Sequence, residues 1–142
     1  MQIRPFRVDD TDAVRSLWKE IFPDNPPHNA PAIVIKQKLK CQPELFFVGE
    51  IGGEIIGTVI PGYDGHRGWL YSIAVSEGRR RQGIATKLIR YAEQALAAKG
   101  CTIINLQVRS TNAPVAGFFR RLGYETEERI SMGKRIANVT VK

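Results

Sequence analysis

The stretch Val75-Ser76-Glu77-Gly78-Arg79-Arg80-Arg81-Gln82-Gly83-Ile84-Ala85-Thr86 decides how this chain is read. It joins a strand-like apolar run, Trp69–Val75, to an amphipathic helical run from about Gln82 to Lys99. Where a strand end meets a helix start, unpaired backbone N–H groups and the positive end of the helix dipole converge on one turn. Such a turn is an anion cradle of the kind that takes a pyrophosphate. Gly83 and the small Ala85 allow close backbone approach to the oxygens. Arg79, Arg80 and Arg81 add positive charge. Without the Gly83-x-Ala85 context the same arginines read as a solvated basic turn.

Two nucleotide-binding patterns fail here. Gly78 and Gly83 have the G-x4-G spacing of a P-loop, but Ile84 stands where the phosphate-binding lysine is required. No G-x-G-x-x-G occurs, so a dinucleotide fold has no anchor.

Working outward, Ile3–Val8 alternates like a first strand. Asp9 or Asp10 then caps a helix carrying Val14, Leu17, Trp18 and Ile21 on one stripe. Asn29 and Pro31 start a second helix that runs to about Cys41. Gly52-Gly53 between Leu45–Ile51 and Glu54–Ile60 signals a hairpin. The loop Gly62–Gly68 leads to Trp69–Val75, and the following helix places Ile84, Leu88, Tyr91 and Ala95 on one stripe before Gly100 stops it. Thr102–Val108 reads as a strand buried on both faces. Asn112 caps a shorter helix ended by Gly123, and Tyr124–Arg135 reads as a last, more exposed strand. The expected class is mixed α/β: a central sheet of about six to seven strands, helices on both faces, in the order β-α-α-β-β-β-α-β-α-β. Strand–helix–strand from Trp69 to Val108 requires a parallel pair, whereas the hairpin strands run antiparallel.

The chain has 142 residues, 43% hydrophobic and 25% charged, with a formal charge of +7, values that predict one domain spanning 1–142. No apolar run approaches the roughly 20 residues of a membrane span, and the N-terminus lacks the apolar core of a secretory signal. A cytoplasmic protein with no membrane partner is expected. Cys41 and Cys101 lack metal-ligand spacing and read as reduced, partly buried thiols; with His28 and His66 they make no zinc set, so no metal is expected. The positive charge favours anionic partners. Nucleic acid is not expected, because no recognition helix or aromatic–basic strand appears.

The motif Arg80-Arg81-Gln82-Gly83-Ile84-Ala85 after Ile73-Ala74-Val75 resembles that of the GCN5-related N-acetyltransferase (GNAT) superfamily. The likeness covers nearly the whole chain and extends to Asn112-Ala113-Pro114-Val115-Ala116-Gly117-Phe118-Phe119-Arg120-Arg121-Leu122-Gly123-Tyr124, where the family shows an Asn-led helix, an aromatic pair and a Leu-Gly-aromatic end. The loop Gly62-Tyr63-Asp64-Gly65-His66-Arg67-Gly68 looks like that of a small bacterial subgroup of acetyltransferases.

The resemblance implies acetyl-CoA as cosubstrate and direct transfer to a primary amine of a small molecule, peptide or protein, by a monomer or homodimer. It implies pyrophosphate on the turn of Arg80, Arg81, Gln82, Gly83, Ile84, Ala85 and Thr86. It also implies pantetheine along the backbone of Ile73 and Val75 where the sheet splays, with Asn112 and Phe119 lining the far side. Two departures stand out. Trp69-Leu70-Tyr71-Ser72 lacks the early carboxylate many relatives carry, and Phe119 stands where many have a general-acid tyrosine. The catalytic acid and base are therefore unassigned, with His66, Tyr71 and Tyr124 as the candidates. Against each stands a plainer role: an exposed loop histidine tied to Asp64, a core aromatic on a central strand, and a packing ring. Trp18 and Phe22 read as core, and Lys36, Lys38 and Lys40 as a solvated helix face. The competing reading is a coenzyme A-binding module of this fold with little or no turnover.

Overall fold

The computed structural model describes residues 1–137, which divide into two compact units, Met1–Asn105 and a second beginning at Leu106. The first holds strand β1 (Gln2–Pro5), helices α1 (Thr11–Ile21) and α2 (Pro31–Lys40), strands β2 (Phe47–Ile51), β3 (Glu54–Tyr63) and β4 (Gly68–Val75), helix α3 (Ile84–Ala98) and strand β5 (Ile104–Asn105). The sheet order is β1-β2-β3-β4-β5, antiparallel except for the parallel β4–β5 pair. This is the mixed sheet expected. Among the described residues no helix is long and apolar enough to cross a membrane.

Gly52 and Gly53 turn the β2–β3 hairpin at φ +56° and +82°, angles glycine adopts without a Cβ clash. On one face, Val14, Leu17 and Trp18 of α1 and Ile35 of α2 pack against Phe46, Val48, Ile60 and Ala74. On the other, α3 buries Ile84, Leu88, Ile89, Ala92 and Leu96, while Tyr91 is partly exposed with its ring edge-on to Phe47. Gly57 lets α3 approach: a Cβ there would lie 2.8 Å from a Leu88 methyl.

Two strand expectations are corrected. Thr102–Val108 forms a ladder only at Ile104–Asn105, which pair with Gly68 and Trp69 and are half-buried. Its apolar run qualifies it as a strand, but strand length is set by how far the neighbour stays alongside. Tyr124–Arg135 is not a strand, and Ile130 and Met132 are 89% and 90% exposed. Period-2 alternation is necessary for a half-buried strand, but a ladder also needs a partner. The sheet of the described residues thus has five strands rather than six or seven. In the second unit, Asn112 caps α4 (Ala113–Arg121) by accepting the Val115 N–H at 3.4 Å, and Gly123 closes it at φ +98°.

Cys41 is exposed rather than partly buried, and both cysteines are free thiols. Lys38 departs from the solvated face expected of it. Its Nζ donates to the Pro61 carbonyl at 2.8 Å, and burial lowers its pKa.

The edge strand β1 is fastened by charge. Arg4 donates to both oxygens of Asp10 at 2.8 and 2.9 Å and to Glu50 at 3.1 Å, with little of the Arg4 and Asp10 side chains reaching solvent. Asp10 also accepts the Arg7 N–H at 2.8 Å. The Arg4 guanidinium first, then the Arg7 amide, hold the Asp10 carboxyl below the usual range against an opposing effect of burial. A carboxyl whose folded pKa lies below its unfolded value stabilises fully above that unfolded value, near 4, and loses this contribution as pH falls through the folded pKa. Asp10→Asn should cost about 3 kcal/mol at neutral pH by leaving Arg4 underpaired, and should flatten the acid limb of Tm against pH. Thermal denaturation from neutral to acidic pH checks this; an acid limb identical to that of the parent would detach the pair from stability.

Candidate active site

The sheet opens at β4. In the β3–β4 register Thr58 pairs with Ala74 and Ile60 with Tyr71, so Ser72 and Ile73 together oppose Val59. This is a β-bulge, and Ser72 takes φ +49°, in the left-handed region that costs a non-glycine residue about 1–3 kcal/mol. The bulge is held from below. Thr58, fully buried, donates its hydroxyl to the Ser72 carbonyl at 2.8 Å and accepts the Trp18 indole N–H at 2.9 Å. Trp18 is core as its stripe predicts, but its N–H also reaches into the sheet.

Beyond Trp69, β4 has no strand on its second edge among the described residues. Which backbone groups face that edge follows from one bond: the Ser76 N–H donates to Ile56 C=O at 2.8 Å. Groups alternate along an antiparallel strand. Ser76 and Ala74 are therefore turned toward β3, and the amide and carbonyl of Val75 toward the open edge; Ile73 lies inside the bulge, where the alternation is interrupted.

The turn after β4 is a single 3-10 turn, Glu77–Arg79, with the Glu77 N–H donating to Glu20 of α1 at 3.0 Å. Arg81 and Gly83 follow at φ +65° and +74°. Arg80, Arg81, Gln82 and Gly83 are exposed, Ala85 and Thr86 half-buried, and the Ile84 side chain is core. Gly83 is the N-cap of α3 and carries no side-chain cap. The first amides of that helix therefore have neither an intrahelical acceptor nor a capping oxygen. No atom lies within 4 Å of where a Gly83 Cβ would be, so the space beside the turn is open. The residues Ile73, Val75 and Arg80–Thr86 are thus contiguous along one edge and the turn beyond it. All belong to the first unit.

Asn112, Phe119 and Tyr124 belong to the second unit. Phe119 is buried, edge-on to both Phe118 and Tyr124 at centroid distances of 5.3 and 5.6 Å. The Tyr124 N–H donates to the Phe119 carbonyl at 3.1 Å. Asn112 spends its side-chain oxygen on the helix cap.

His66 is exposed, and its backbone N–H donates to Asp64 Oδ1 at 2.8 Å. Tyr71 is not the core aromatic that its central strand suggests, being 51% exposed. Its neighbour across the ladder explains this. Gly62, paired with Trp69, offers no side chain, and a Cβ there would lie 3.8 Å from the Tyr71 ring, which rests over the β3 backbone. Partial burial and the Asp64 charge raise the Tyr71 pKa, so its hydroxyl keeps its proton. Sequence reasoning missed Thr58 and Ser72. Their only signal was a hydroxyl in each of the apolar runs Ile55–Ile60 and Trp69–Val75.

The sequence profile described as the Acetyltransferase (GNAT) family matches residues 11–124. A protein named acetyltransferase from Pectobacterium atrosepticum is 46% identical over 96% of both chains. One from Yersinia enterocolitica, also named acetyltransferase, is 42% identical over 96% of both. Among solved structures, an aminoglycoside N-acetyltransferase in complex with coenzyme A superposes with a TM-score of 0.78 at 21% identity, covering 96% of this chain and 95% of that one. An N-acetyltransferase from Thermoplasma acidophilum, likewise in complex with coenzyme A, gives 0.76 at 16% identity, covering 91% and 92%. An opened sheet edge running into a glycine-capped helix start, a matching family profile and relatives above 40% identity agree: the chain belongs to the Acetyltransferase (GNAT) family of acyl-transferring enzymes.

Proposed function

We propose that the protein transfers the acetyl group of acetyl-CoA directly to a primary amine, as one N-acetyltransferase domain. The observation that carries this reading is the open edge of β4 running without a break into the uncapped start of α3. The donor fits the residues present. Amides of the turn and of the first α3 residues, with Arg80 and Arg81, offer donors and positive charge to a pyrophosphate. Gly83 leaves the approach clear. The outward amide and carbonyl of Val75, with the backbone of Ile73 at the bulge, would offer hydrogen-bonding groups to the amides of a pantetheine arm.

Transfer requires the neutral amine nitrogen to attack the thioester carbonyl. The C–N bond forms, the C–S bond breaks, and the thiolate departs with the electron pair. In this reading the amide near Val75 would donate to the carbonyl oxygen as negative charge develops there, as fixed donors do in other acyl transfers. Most amine is protonated at neutral pH, so one proton must leave before attack. No carboxylate lies in Trp69–Ser72 and Phe119 has no proton to give, so these protons pass through water or through one of His66, Tyr71 and Tyr124. The same two features favour the second reading, a coenzyme A-binding module with little turnover. Measuring coenzyme A release over a panel of amines separates the two: thermal stabilisation by acetyl-CoA without release by any amine would establish the module.

Acetyl-CoA at 100 times its Kd should stabilise the protein by about 2.7 kcal/mol, a Tm rise of roughly 10 °C at this size. Gly83→Val places a β-branched residue at φ +74° beside the turn and should abolish most of that rise, whereas Lys36→Ala on the exposed side of α2 should preserve it. A full shift in folded Gly83→Val would remove the turn from the donor site.

The bulge should be separable from general stability. Thr58→Val deprives both the Trp18 N–H and the Ser72 carbonyl of their partner, at about 1–3 kcal/mol, whereas Thr58→Ser keeps the hydroxyl. If the bulge shapes the donor edge, Thr58→Val should weaken acetyl-CoA binding by calorimetry several-fold and Thr58→Ser should restore it. Equal affinities in the two variants would make Thr58 merely structural.

A further inference from the structure

Trp69 and Tyr71 occupy alternate positions of β4 and so share one face of the sheet, with ring centroids 6.5 Å apart and planes inclined by 23°. Ile60, the ladder partner of Tyr71, belongs to the core beneath α1 and α2, which places the pair on that side. Half of Tyr71 is solvent-exposed on a strand whose neighbours Leu70 and Ala74 are buried. Trp69 is half-buried behind it, so the pair offers one exposed ring, Tyr71, stacked on a partly covered one beside the point where the sheet opens.

A carboxylate accompanies it. Asp64 stands in the β3–β4 loop, where its Oδ1 accepts the backbone N–H groups of His66 and Arg67 at 2.8 and 2.7 Å. Those two bonds, with a weaker contribution from the Trp69 side chain, keep its carboxyl ionised. The loop is rigidly mounted. Gln42 bonds the Tyr63 carbonyl and N–H at 2.8 and 2.9 Å, and Arg67 donates to Asn105 at 2.7 Å. The nearby cation on α2, Lys38, is already bonded to the Pro61 carbonyl.

We infer that Trp69, Tyr71 and Asp64 form an acceptor subsite for an ammonium group other than the amine that is acetylated. Aromatic faces attract a cation through their quadrupoles, and a fixed carboxylate supplies the countercharge. The inference rests on the acetyl-transfer reading and names its substrate class. Tyr71 adjoins the bulge residue Ser72 and Trp69 lies three residues from it, so at about 3.3 Å per residue the subsite is roughly 3–10 Å from the bulge. That spacing suits diamines with roughly four to six methylenes between the nitrogens.

The test pairs 1,4-diaminobutane with butylamine, which differ by one ammonium group. In the unaltered protein kcat/KM for coenzyme A release should favour the diamine by at least about 10-fold. Asp64→Asn keeps an oxygen for the two backbone N–H groups while removing the charge, and Tyr71→Leu keeps an apolar strand residue while removing the ring. Each should bring the ratio to near one through KM, and Tyr71→Phe should restore it. Diamine binding is also read without turnover, by calorimetry. Binding that is lost in Tyr71→Leu supports the subsite even if no amine is acetylated, which would fault only the transfer reading. No diamine preference in turnover together with no diamine binding, or a preference unchanged in Asp64→Asn and Tyr71→Leu, would overturn it.

Discussion

The short chain of hydrogen bonds from the Trp18 indole to Thr58 and on to the Ser72 carbonyl holds the one irregularity on which the site depends. A left-handed serine within a strand is a conformation that isolated peptide would abandon. It persists because the fully buried Thr58 hydroxyl donates to the Ser72 carbonyl and because Trp18 is itself locked among α1, β2 and β3. The strain is local, and the packing that offsets it is spread over the core.

What the bulge does can be traced outward. It adds one residue to β4 without one on β3, which bends the strand and shifts the facing of everything beyond it. Ala74 therefore shares the α1–α2 face with Tyr71, although unbroken alternation would have put Ile73 there. Val75 keeps outward-facing backbone groups along an edge that β5 leaves unpaired after Asn105. The same strand ends in Ser76, bonded to Ile56, and Glu77, bonded to Glu20 of α1. The helix that frames the bulge thus also steadies the turn that precedes α3.

The positive charge of the chain has a corresponding geography. Arg4 is spent internally, on Asp10 and Glu50. Lys38 is spent on a main-chain carbonyl. Arg80 and Arg81, by contrast, are exposed on a turn whose second arginine has a positive φ and whose glycine leaves open space. Net charge indicated an anionic partner in general; these differences in engagement indicate which cations are available to one.

The sequence by itself determined the elements whose signals are local. The Gly52-Gly53 turn, the Val14–Leu17–Trp18 stripe, Pro31 at a helix start and the strand–turn–helix around Gly83 are short-range patterns, and each formed where its residues placed it. The site motif was legible for the same reason, since glycine at a helix start and arginines beside it act through their own backbone and charge. Tertiary structure alone decided the rest. A strand exists only if another stays beside it, so Thr102–Val108 shrank to Ile104–Asn105 and Tyr124–Arg135 formed no ladder despite its alternation. Tyr71 became exposed because Gly62, nine residues earlier, faces it across the ladder's neighbouring pair. Thr58 became the support of the bulge because two residues from other elements, Trp18 and Ser72, meet at its hydroxyl. Each of these is a pairing between distant segments, and a pattern of residues along one segment carries no record of what will be packed against it.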